Sequence, residues 1–198
     1  MVYEEKFLNN YSRGGVLSGE SGQHASVRTN KTSFPLVVLG LGSNLGDSRD
    51  IILRAVDALK EVLTELRCAS LYETDPLYVT DQGRFINTAV TGFYPGSDDS
   101  HSAKQLLAFI NSTEKRFGRD RARERRWGER SLDIDILLFD DLIINDADLV
   151  IPHERLKERR FALEPLLELL PNVVEPGSGI SYRSICDALP DQGIKIIK

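Results

Sequence analysis

Apolar and polar residues begin to recur in a regular pattern at residue 36 of this 198-residue chain. The apolar run over residues 36–41 predicts a short strand, and the Gly-rich residues 42–47 predict a turn. From residue 48 to residue 66, apolar side chains recur at the spacing of one helix face: Ile52, Ala55, Val56, Leu59, Val62 and Leu63. The folded part is therefore predicted to begin with a strand, a turn and an amphipathic helix.

The elements that follow are recognised by the same two periods, alternation for strands and helical spacing for helices. Strands are predicted at residues 68–72, 85–93 and 133 to about 140, with a short one at 142–144, and helices at 102–117 and 160–170. Pro171 ends the last helix. The order strand, helix, strand, strand, helix, strand predicts an α+β fold, namely a ferredoxin-like α/β sandwich with a mostly antiparallel sheet.

Residues 1–34 differ from the rest of the chain in composition. They are rich in Ser, Gly and Asn and lack an apolar period, which is typical of a disordered N-terminal extension. They contain no apolar core of a secretory signal, and Glu4, Glu5 and Glu20 are unusual in organelle transit peptides. We therefore predict a single folded domain over residues 35–198.

The overall composition is that of an ordinary globular protein, with 41% hydrophobic and 28% charged residues. The net charge of −5 argues against a general nucleic-acid binder. No run of residues approaches the roughly 18 apolar positions of a membrane-spanning helix. Cys68 and Cys186 are too few for a disulfide framework or a zinc site, so we expect free thiols and a cytoplasmic protein. Neither nucleic acid nor a membrane is expected as a partner.

Residues 119–135, with the sequence RDRARERRWGERSLDID, join a dense arginine cluster to two aspartates. Because strand side chains alternate between faces, Asp133 and Asp135 are expected on one face, roughly 7 Å apart. The apolar residues around them then lie on the opposite face. Carboxylate oxygens beside a strongly basic segment suit Mg²⁺ that carries a polyphosphate, with arginines on the phosphate oxygens. The pattern therefore predicts phosphoryl-type transfer.

The residues alone leave other interpretations open. An Asp-x-Asp pair is also common at a solvated strand end, and an arginine run can be a solvated helix face or a nucleic-acid patch. Gly40, Gly42 and Gly46 are similar to a dinucleotide-binding fingerprint, except that the third glycine comes one residue late. We favour a tight turn in which Asn44 or Asp47 caps the helix. An RNA- or nucleotide-binding module is the alternative function for such a fold.

Four sets of motifs occur in the order in which one enzyme family carries them. They are residues 40–47 (GLGSNLGD), 70–76 (SLYETDP) with 85–87 (FIN), 126–135 (RWGERSLDID), and 152–153 (PH) with 159–161 (RRF). Over about residues 36–190 the chain resembles the 6-hydroxymethyl-7,8-dihydropterin pyrophosphokinases of folate biosynthesis. The resemblance implies the ferredoxin-like fold and transfer of the β,γ-pyrophosphoryl group of ATP to the pterin hydroxymethyl group, with release of AMP.

The resemblance also implies roles for particular residues. Asp133 and Asp135 match the family's metal ligands and are expected to hold two Mg²⁺ ions. Arg119 and Arg130 match the catalytic arginines that act on the transferring phosphates. ATP is the expected co-substrate, and the residues that match its contacts are Asn111, Glu114, Arg121, Arg126, Ile136, His153 and Arg159.

On the pterin side, Phe85 and Phe161 match the aromatic pair that sandwiches the ring, and Asn87 matches the residue that binds its amide edge. The full matching set is Thr74, Asp75, Leu77, Phe85, Asn87, Trp127 and Phe161. Without the resemblance, both phenylalanines would be assigned to the core. The polar segments 75–84 and 118–130 are candidate lids. We expect small-molecule substrates and a monomer or weak homodimer.

Overall fold

A central antiparallel sheet with helices on both faces organises the chain. The structure is a computed structural model, and it describes residues 34–76, 81–120 and 128–197. The strands are β1 (Leu36–Ser43), β2 (Thr64–Cys68), β3 (Leu71–Thr74), β4 (Phe85–Phe93), β5 (Asp133–Phe139), β6 (Ile144–Asn145), β7 (Val150–Ile151) and β8 (Lys195–Ile197). The helices are α1 (Ser48–Leu59), α2 (Ser100–Arg116), α3 (Arg160–Leu169) and α4 (Tyr182–Ala188), with a short 3₁₀ helix at Leu156–Glu158.

The strand order of the large sheet is β5-β1-β4-β3-β8, and β2 also pairs with β4. Every pairing in this sheet is antiparallel. With β5 and β4 on either side of β1, and β3 beyond β4, the order is that of a ferredoxin-like sandwich. The predicted α+β fold is therefore confirmed. Strands β6 and β7 form a separate two-stranded sheet.

Strand β1 is buried on both faces because helices cover the sheet on either side. Its odd-numbered residues, such as Leu39, belong to a core shared with Leu59 of α1 and Leu106 of α2. Val38 points the other way and belongs to a core shared with Leu163 of α3. Each fully buried side chain of this kind stabilises the fold by about 1.5–3 kcal/mol. The first strand is therefore anchored from both sides, and its position is fixed by packing rather than by the turn that follows it.

The predicted element bounds are close to the observed ones except between residues 59 and 74 and in the short strand at 142–144. The one strand predicted at residues 68–72 is instead two strands, β2 (Thr64–Cys68) and β3 (Leu71–Thr74), and the short strand is Ile144–Asn145. Helix α1 ends at Leu59, whereas the apolar pattern predicted a helix to residue 66. Leu63 is buried as predicted, but residues 60–62 form a tight turn and Thr64 pairs with Phe93 at the start of β2. Val62 and Leu63 pack against the same core from the turn and from the residue before β2, so burial alone does not distinguish a longer helix from this turn.

Several short elements were not predicted from the sequence. They are β7, the 3₁₀ helix, α4 and β8, and none of them exceeds seven residues. Strand β8 extends the large sheet by pairing with β3. Cys68 and Cys186 are free thiols, as expected. None of the helices in the described residues has the length and apolar character needed to cross a membrane.

Candidate active site

Two glycines of β1 form the floor of the main pocket. Gly42 pairs with Asn87 of β4 on one side and with Asp133 of β5 on the other. Gly40 pairs with Asp135 two positions along the same face. A Cβ atom on Gly42 would lie only 2.9 Å from Asn87 Oδ1, so this position has no room for a side chain. The asparagine and the two aspartates therefore face the same space across bare backbone.

The glycines of β1 do not form the tight turn that we favoured. Both Gly40 and Gly42 lie inside the strand, and the turn begins after Ser43. Gly46, with φ +77°, has the left-handed conformation that a turn glycine favours. Asp47 caps α1, because its side chain accepts a hydrogen bond from Asp50 N at 3.1 Å. The predicted turn with Asp47 as the helix cap is therefore confirmed, but it begins after Ser43 and its left-handed glycine is Gly46.

Asn44 connects three segments instead of capping the helix. Its Oδ1 accepts a hydrogen bond from Arg130 N at 2.9 Å. Its Nδ2 donates to Gln82 Oε1 at 3.1 Å and to Gly83 O at 3.3 Å. Asn44 is 8% exposed, so these contacts are largely shielded from water. The turn after β1 therefore holds both the segment before β5 and the segment before β4.

Asp133 is held by two guanidinium groups. Arg119 Nη1 lies 2.5 Å from its Oδ1, and Arg130 Nη1 lies 2.5 Å from its Oδ2. Burial alone would raise the pKa of Asp133, but the charges of Arg130 and Arg119 outweigh it and lower that pKa below its usual range. Asp133 is therefore ionised at neutral pH and its charge is compensated within the protein.

Glu114 of α2 contacts both Arg119 and the backbone of β5 next to Asp133. Its carboxylate accepts a hydrogen bond from Ile134 N at 2.8 Å and pairs with Arg119. Glu114 is 1% exposed, so its charge is compensated inside the protein rather than by solvent. Arg119 thus bridges two carboxylates and lies behind Asp133 as seen from the pocket.

Asp135 has a different electrostatic environment. Burial, followed by the negative charge of Asp133, raises the pKa of Asp135 to about 7. Its basic neighbours include the His153 imidazole, with Nε2 at 3.6 Å, and the Arg159 guanidinium, with Nη1 at 3.8 Å. Both distances exceed that of a good hydrogen bond. The carboxylate pair therefore carries a negative charge that a bound cation would stabilise.

His153 presents an N–H group to the pocket. Its Nδ1 accepts a hydrogen bond from Arg155 N at 3.1 Å, which leaves the proton of the neutral ring on Nε2. Burial, followed by the charge of Arg159, lowers the pKa of His153 to about 4. The ring is thus neutral at pH 7, and it both caps a turn and points a donor at Asp135.

Arg159 is a buried cation with unused hydrogen-bonding capacity. Its side chain is 11% exposed, and its Nε is buried without a hydrogen-bond partner in the described residues. Its guanidinium carbon lies 5.6 Å from the centre of the Phe161 ring. An anionic group that entered the pocket would supply the acceptor that Arg159 Nε lacks.

The aromatic side of the pocket is formed by β3, β4 and the start of α3. Phe85 pairs with Thr74 across the two strands, and Asn87 Nδ2 donates to Thr74 Oγ1 at 2.8 Å. Phe161 lies at the first turn of α3 and lines the same pocket. Both phenylalanines are half-buried rather than core residues. Two aromatic rings and an amide therefore face the carboxylates in one cavity.

The structure brings most of the predicted site residues into this pocket. The residues that line it are Thr74, Asp75, Phe85, Asn87, Arg130, Asp133, Asp135, His153, Arg159 and Phe161. Arg119 and Glu114 lie behind Asp133, the Ile136 side chain is in the core on the opposite face, and Asn111 is exposed on α2. Leu77, Arg121, Arg126 and Trp127 lie outside the described residues, as does much of the proposed lid over residues 118–130.

Further lining residues were not predicted from the sequence. They include Gly40, Gly42, Gln82, Thr88, Leu137 and Ala162. Gly40 and Gly42 stand out in the sequence, but their position on the pocket floor depends on the register of β1 against β4 and β5. Leu137 could have been predicted, because it continues the alternation that begins at Asp133 and Asp135.

An antiparallel α+β sandwich that combines paired carboxylates, clustered arginines and an aromatic slot in one pocket defines a transferase of the phosphoryl type. The sequence model of the 7,8-dihydro-6-hydroxymethylpterin-pyrophosphokinase (HPPK) family matches residues 38–171, well over half of the chain. The chain belongs to this family. It is therefore an ATP-dependent pyrophosphokinase of folate synthesis.

Curated relatives agree with this assignment. The 2-amino-4-hydroxy-6-hydroxymethyldihydropteridine pyrophosphokinase of Aquifex aeolicus (strain VF5) is 40% identical over 141 residues, which cover 71% of this chain and 83% of the relative. A folate synthesis bifunctional protein of Arabidopsis thaliana is 39% identical over 140 residues, which cover 70% of this chain but only 28% of that protein. The chain thus matches one part of the bifunctional relative.

Solved structures show the same fold. A crystal structure described as HPPK-DHPS in complex with substrates superposes with a TM-score of 0.60 at 15% sequence identity. The match covers 79% of this chain and 43% of that one. At this identity the likeness concerns the fold alone, and it supports the ferredoxin-like arrangement described above.

Proposed function

We propose that the pocket above Gly40 and Gly42 is where this pyrophosphokinase brings its two substrates together. The reaction moves the β,γ-pyrophosphoryl group of ATP to the hydroxymethyl oxygen of 6-hydroxymethyl-7,8-dihydropterin and releases AMP. It requires a flat slot for the pterin, a charged site for the triphosphate and a short path between them. One observation carries the proposal: Gly42 pairs with both Asn87 and Asp133, so the two sites are neighbours across a single strand.

The pterin would lie between Phe85 and Phe161, with Asn87 at its amide edge. The two rings provide apolar faces on either side of the slot, and a flat bicyclic ring stacks well between such faces. The Asn87–Thr74 hydrogen bond fixes the amide orientation before the ligand enters. A preorganised amide discriminates strongly between ligands, because an unmatched edge would leave a buried polar group without a partner.

Asp133 and Asp135 would hold Mg²⁺, and we propose two ions. Hard carboxylate oxygens suit this metal, and the raised pKa of Asp135 reflects a charge that a cation would stabilise. No group of three or more His, Cys, Asp or Glu side chains gathers as a ligand set within residues 34–76, 81–120 and 128–197. Phosphate oxygens and water would therefore complete the coordination. When bound, the metal holds the triphosphate and neutralises its charge.

The arginines would act on the transferring phosphates. Arg130 lines the pocket and is already aligned by Asp133, which lowers the cost of ordering its side chain. Arg119 orients Asp133 from behind, and Arg159 offers an unused donor toward the triphosphate. Charge would develop on the bridging oxygen as AMP leaves, and preorganised guanidinium groups stabilise such charge without rearranging.

The assignment is tested by the identity of the products. Incubation with ATP, Mg²⁺ and 6-hydroxymethyl-7,8-dihydropterin is expected to release AMP in equal amount to pyrophosphorylated pterin. Release of ADP would contradict pyrophosphoryl transfer. Asp135→Asn serves as the site variant and Asp57→Asn, an exposed carboxylate on α1, as its matched control. Equal activity of the two variants at saturating Mg²⁺ would contradict the metal assignment.

The location and the oligomeric state of the protein are also part of this proposal. We propose that the protein acts in the cytoplasm on small molecules, as a monomer or weak homodimer. Sedimentation velocity over a range of concentrations measures the association directly. A stable oligomer at the lowest concentration would contradict this view.

A further inference from the structure

The last segment of the described chain touches both walls of the pocket. We define the C-terminal segment as residues 189–197, which contains β8. At one end it contacts the start of α3, where Arg159 and Phe161 lie. At the other end β8 pairs with β3, which ends at Thr74. The C-terminal segment therefore connects two walls that come from distant parts of the sequence.

Gln192 makes the central contact with α3. Its Oε1 accepts a hydrogen bond from Arg160 N at 3.0 Å, and its Nε2 donates to Glu158 O at 3.0 Å. The two bonds reach the backbone directly before and directly after Arg159. One side-chain amide thus fixes the peptide units on either side of the buried cation in the pocket.

This contact replaces a helix cap that the local sequence does not supply. Arg159 is the residue before α3, and no side chain at that position caps the helix. The first backbone N–H groups of a helix need acceptors from elsewhere, and a missing cap costs about 1 kcal/mol. Gln192 provides the acceptor for Arg160 N from 32 residues further along the chain.

The opposite wall is held by the same segment. Lys195 of β8 pairs with Glu73, next to Thr74. Gly193 has φ +66°, and a Cβ atom at that position would lie 3.3 Å from Asp75 Oδ2. The chain therefore passes directly from the Gln192 contact to the backbone that carries the pocket residues of β3.

We infer that Gln192 is a positioning residue for the substrate pocket, which it serves by fixing the backbone that carries Arg159 and Phe161. The inference rests on the proposed pterin and ATP contacts of those two residues. Gln192 does not line the pocket itself and acts through the start of α3. Its loss would let the first turn of α3 relax, so that Phe161 no longer forms a fixed wall of the pterin slot.

Two substitutions of Gln192 separate its hydrogen bonds from its size. Gln192→Met keeps the length of the side chain and removes both bonds, whereas Gln192→Glu keeps the acceptor for Arg160 N. We expect Gln192→Met to raise the KM for pterin about tenfold, which corresponds to the loss of two net hydrogen bonds. The kcat is expected to stay within about twofold. Gln192→Glu is expected to fall between Gln192→Met and the wild type.

Arg160→Met is the control for general loosening of the C-terminal segment. Its side chain donates to Leu189 O at 3.0 Å and pairs with Glu164 at 2.7 Å, away from the pocket, while its backbone N–H is retained. This variant is expected to lower the melting temperature without raising the KM for pterin. A pterin KM for Gln192→Met within twofold of the wild type, or an equal rise for Arg160→Met, overturns the inference.

Phe161→Ala, measured in parallel, separates this inference from the proposed function. If Phe161→Ala leaves the pterin KM unchanged, the pterin assignment of the pocket is wrong and the role of Gln192 falls with it. If Phe161→Ala raises the KM and Gln192→Met does not, only the positioning role is wrong.

Discussion

Asp133 and Asp135 lie on the same face of one strand, yet only Asp133 has its charge compensated by guanidinium groups at hydrogen-bond distance. Asp135 faces an imidazole and a guanidinium at 3.6 and 3.8 Å and has a raised pKa of about 7. The two carboxylates therefore contribute to folding with opposite sign in the metal-free protein. Asp133 holds Arg119 and Arg130 in place, whereas the buried negative charge of Asp135 destabilises the folded state.

Substitution of each aspartate is expected to separate stability from activity. Asp135→Asn removes an unfavourable charge, so the free energy of unfolding without metal should stay equal or rise. Asp133→Asn removes the carboxylate that pairs with Arg130 and one of the two carboxylates that Arg119 bridges, and it should cost about 1–3 kcal/mol, allowing for partial exposure. Both variants should lose at least about 100-fold in kcat. Urea denaturation in EDTA and the AMP assay measure the two effects, and equal stabilities would contradict the prediction.

The pH dependence of stability is expected to show a cancellation between Asp135 and His153. The pKa of Asp135 rises from 3.8 in the unfolded chain to about 7, so a fall in pH across this range stabilises the folded state. The pKa of His153 falls from 6.5 to about 4, so its contribution is complete above pH 6.5 and is lost as the pH falls toward 4. Between these limits the two contributions oppose each other.

Substituting either Asp135 or His153 should expose the contribution of the other residue to the pH dependence of the free energy of unfolding. Asp135→Asn is expected to lose about 1–2 kcal/mol more than the wild type between pH 6.5 and about pH 5, because only the His153 contribution remains. His153→Gln is expected to change in the opposite direction, by a smaller amount because Asp135 is partly exposed. Urea denaturation of the three proteins at both pH values, in EDTA, gives the comparison. Identical pH differences in all three would show that the groups titrate normally.

Arg130→Ala and Phe161→Ala are expected to affect different kinetic parameters. Arg130 would contact charge that grows as AMP leaves, so its loss should lower kcat by roughly 10²–10³-fold. Phe161 would stack on the pterin in both the ground and transition states, so its loss should cost about 1–3 kcal/mol, mainly in the KM for pterin. ATP binding measured without pterin should barely respond to Phe161→Ala. Arg54→Ala, a remote guanidinium stacked on Phe117, is the control for Arg130→Ala.

If Phe161→Ala instead unfolded the protein and left pterin affinity intact in the folded fraction, Phe161 would be a core residue. The pterin slot would then lie elsewhere.

Asn44 is expected to couple the two sides of the pocket. Asn44→Ala removes its side-chain bonds to Arg130 N, Gln82 and Gly83, each worth about 0.5–1.5 kcal/mol. We expect a fall in kcat of about tenfold from the released Arg130 and a rise in the pterin KM from the released segment before β4. Gln82→Ala removes the Asn44–Gln82 contact but keeps the Asn44 contact with Arg130 N, so it should raise the KM and leave kcat unchanged. Identical kinetics for the two variants would argue against coupling through Asn44.

The sequence predicted the site best where the period of a single strand also determines the placement of its functional side chains. Alternation along β5 was enough to place Asp133 and Asp135 on one face. Phe85 and Phe161 could be assigned to the pocket only through the family resemblance, because half-buried and core phenylalanines look alike in a sequence. The role of Gly42 depends on cross-strand register, and the Gln192 contact closes over 32 residues. Neither relationship leaves a local pattern.

The glycine floor has a consequence for ligands that would join both halves of the pocket. Adjacent strands lie about 4.8 Å apart, so Asn87 and Asp133, which flank β1, are separated by about 10 Å. A tether between a pterin ring and a nucleotide could cross this distance in a straight line, since no side chain rises from Gly42. Any residue larger than glycine at that position would obstruct the passage and would also displace the Asn87 amide, because its Cβ atom would lie 2.9 Å from Asn87 Oδ1. A bisubstrate inhibitor could therefore be short and rigid, and resistance by substitution at residue 42 would equally block the natural reaction.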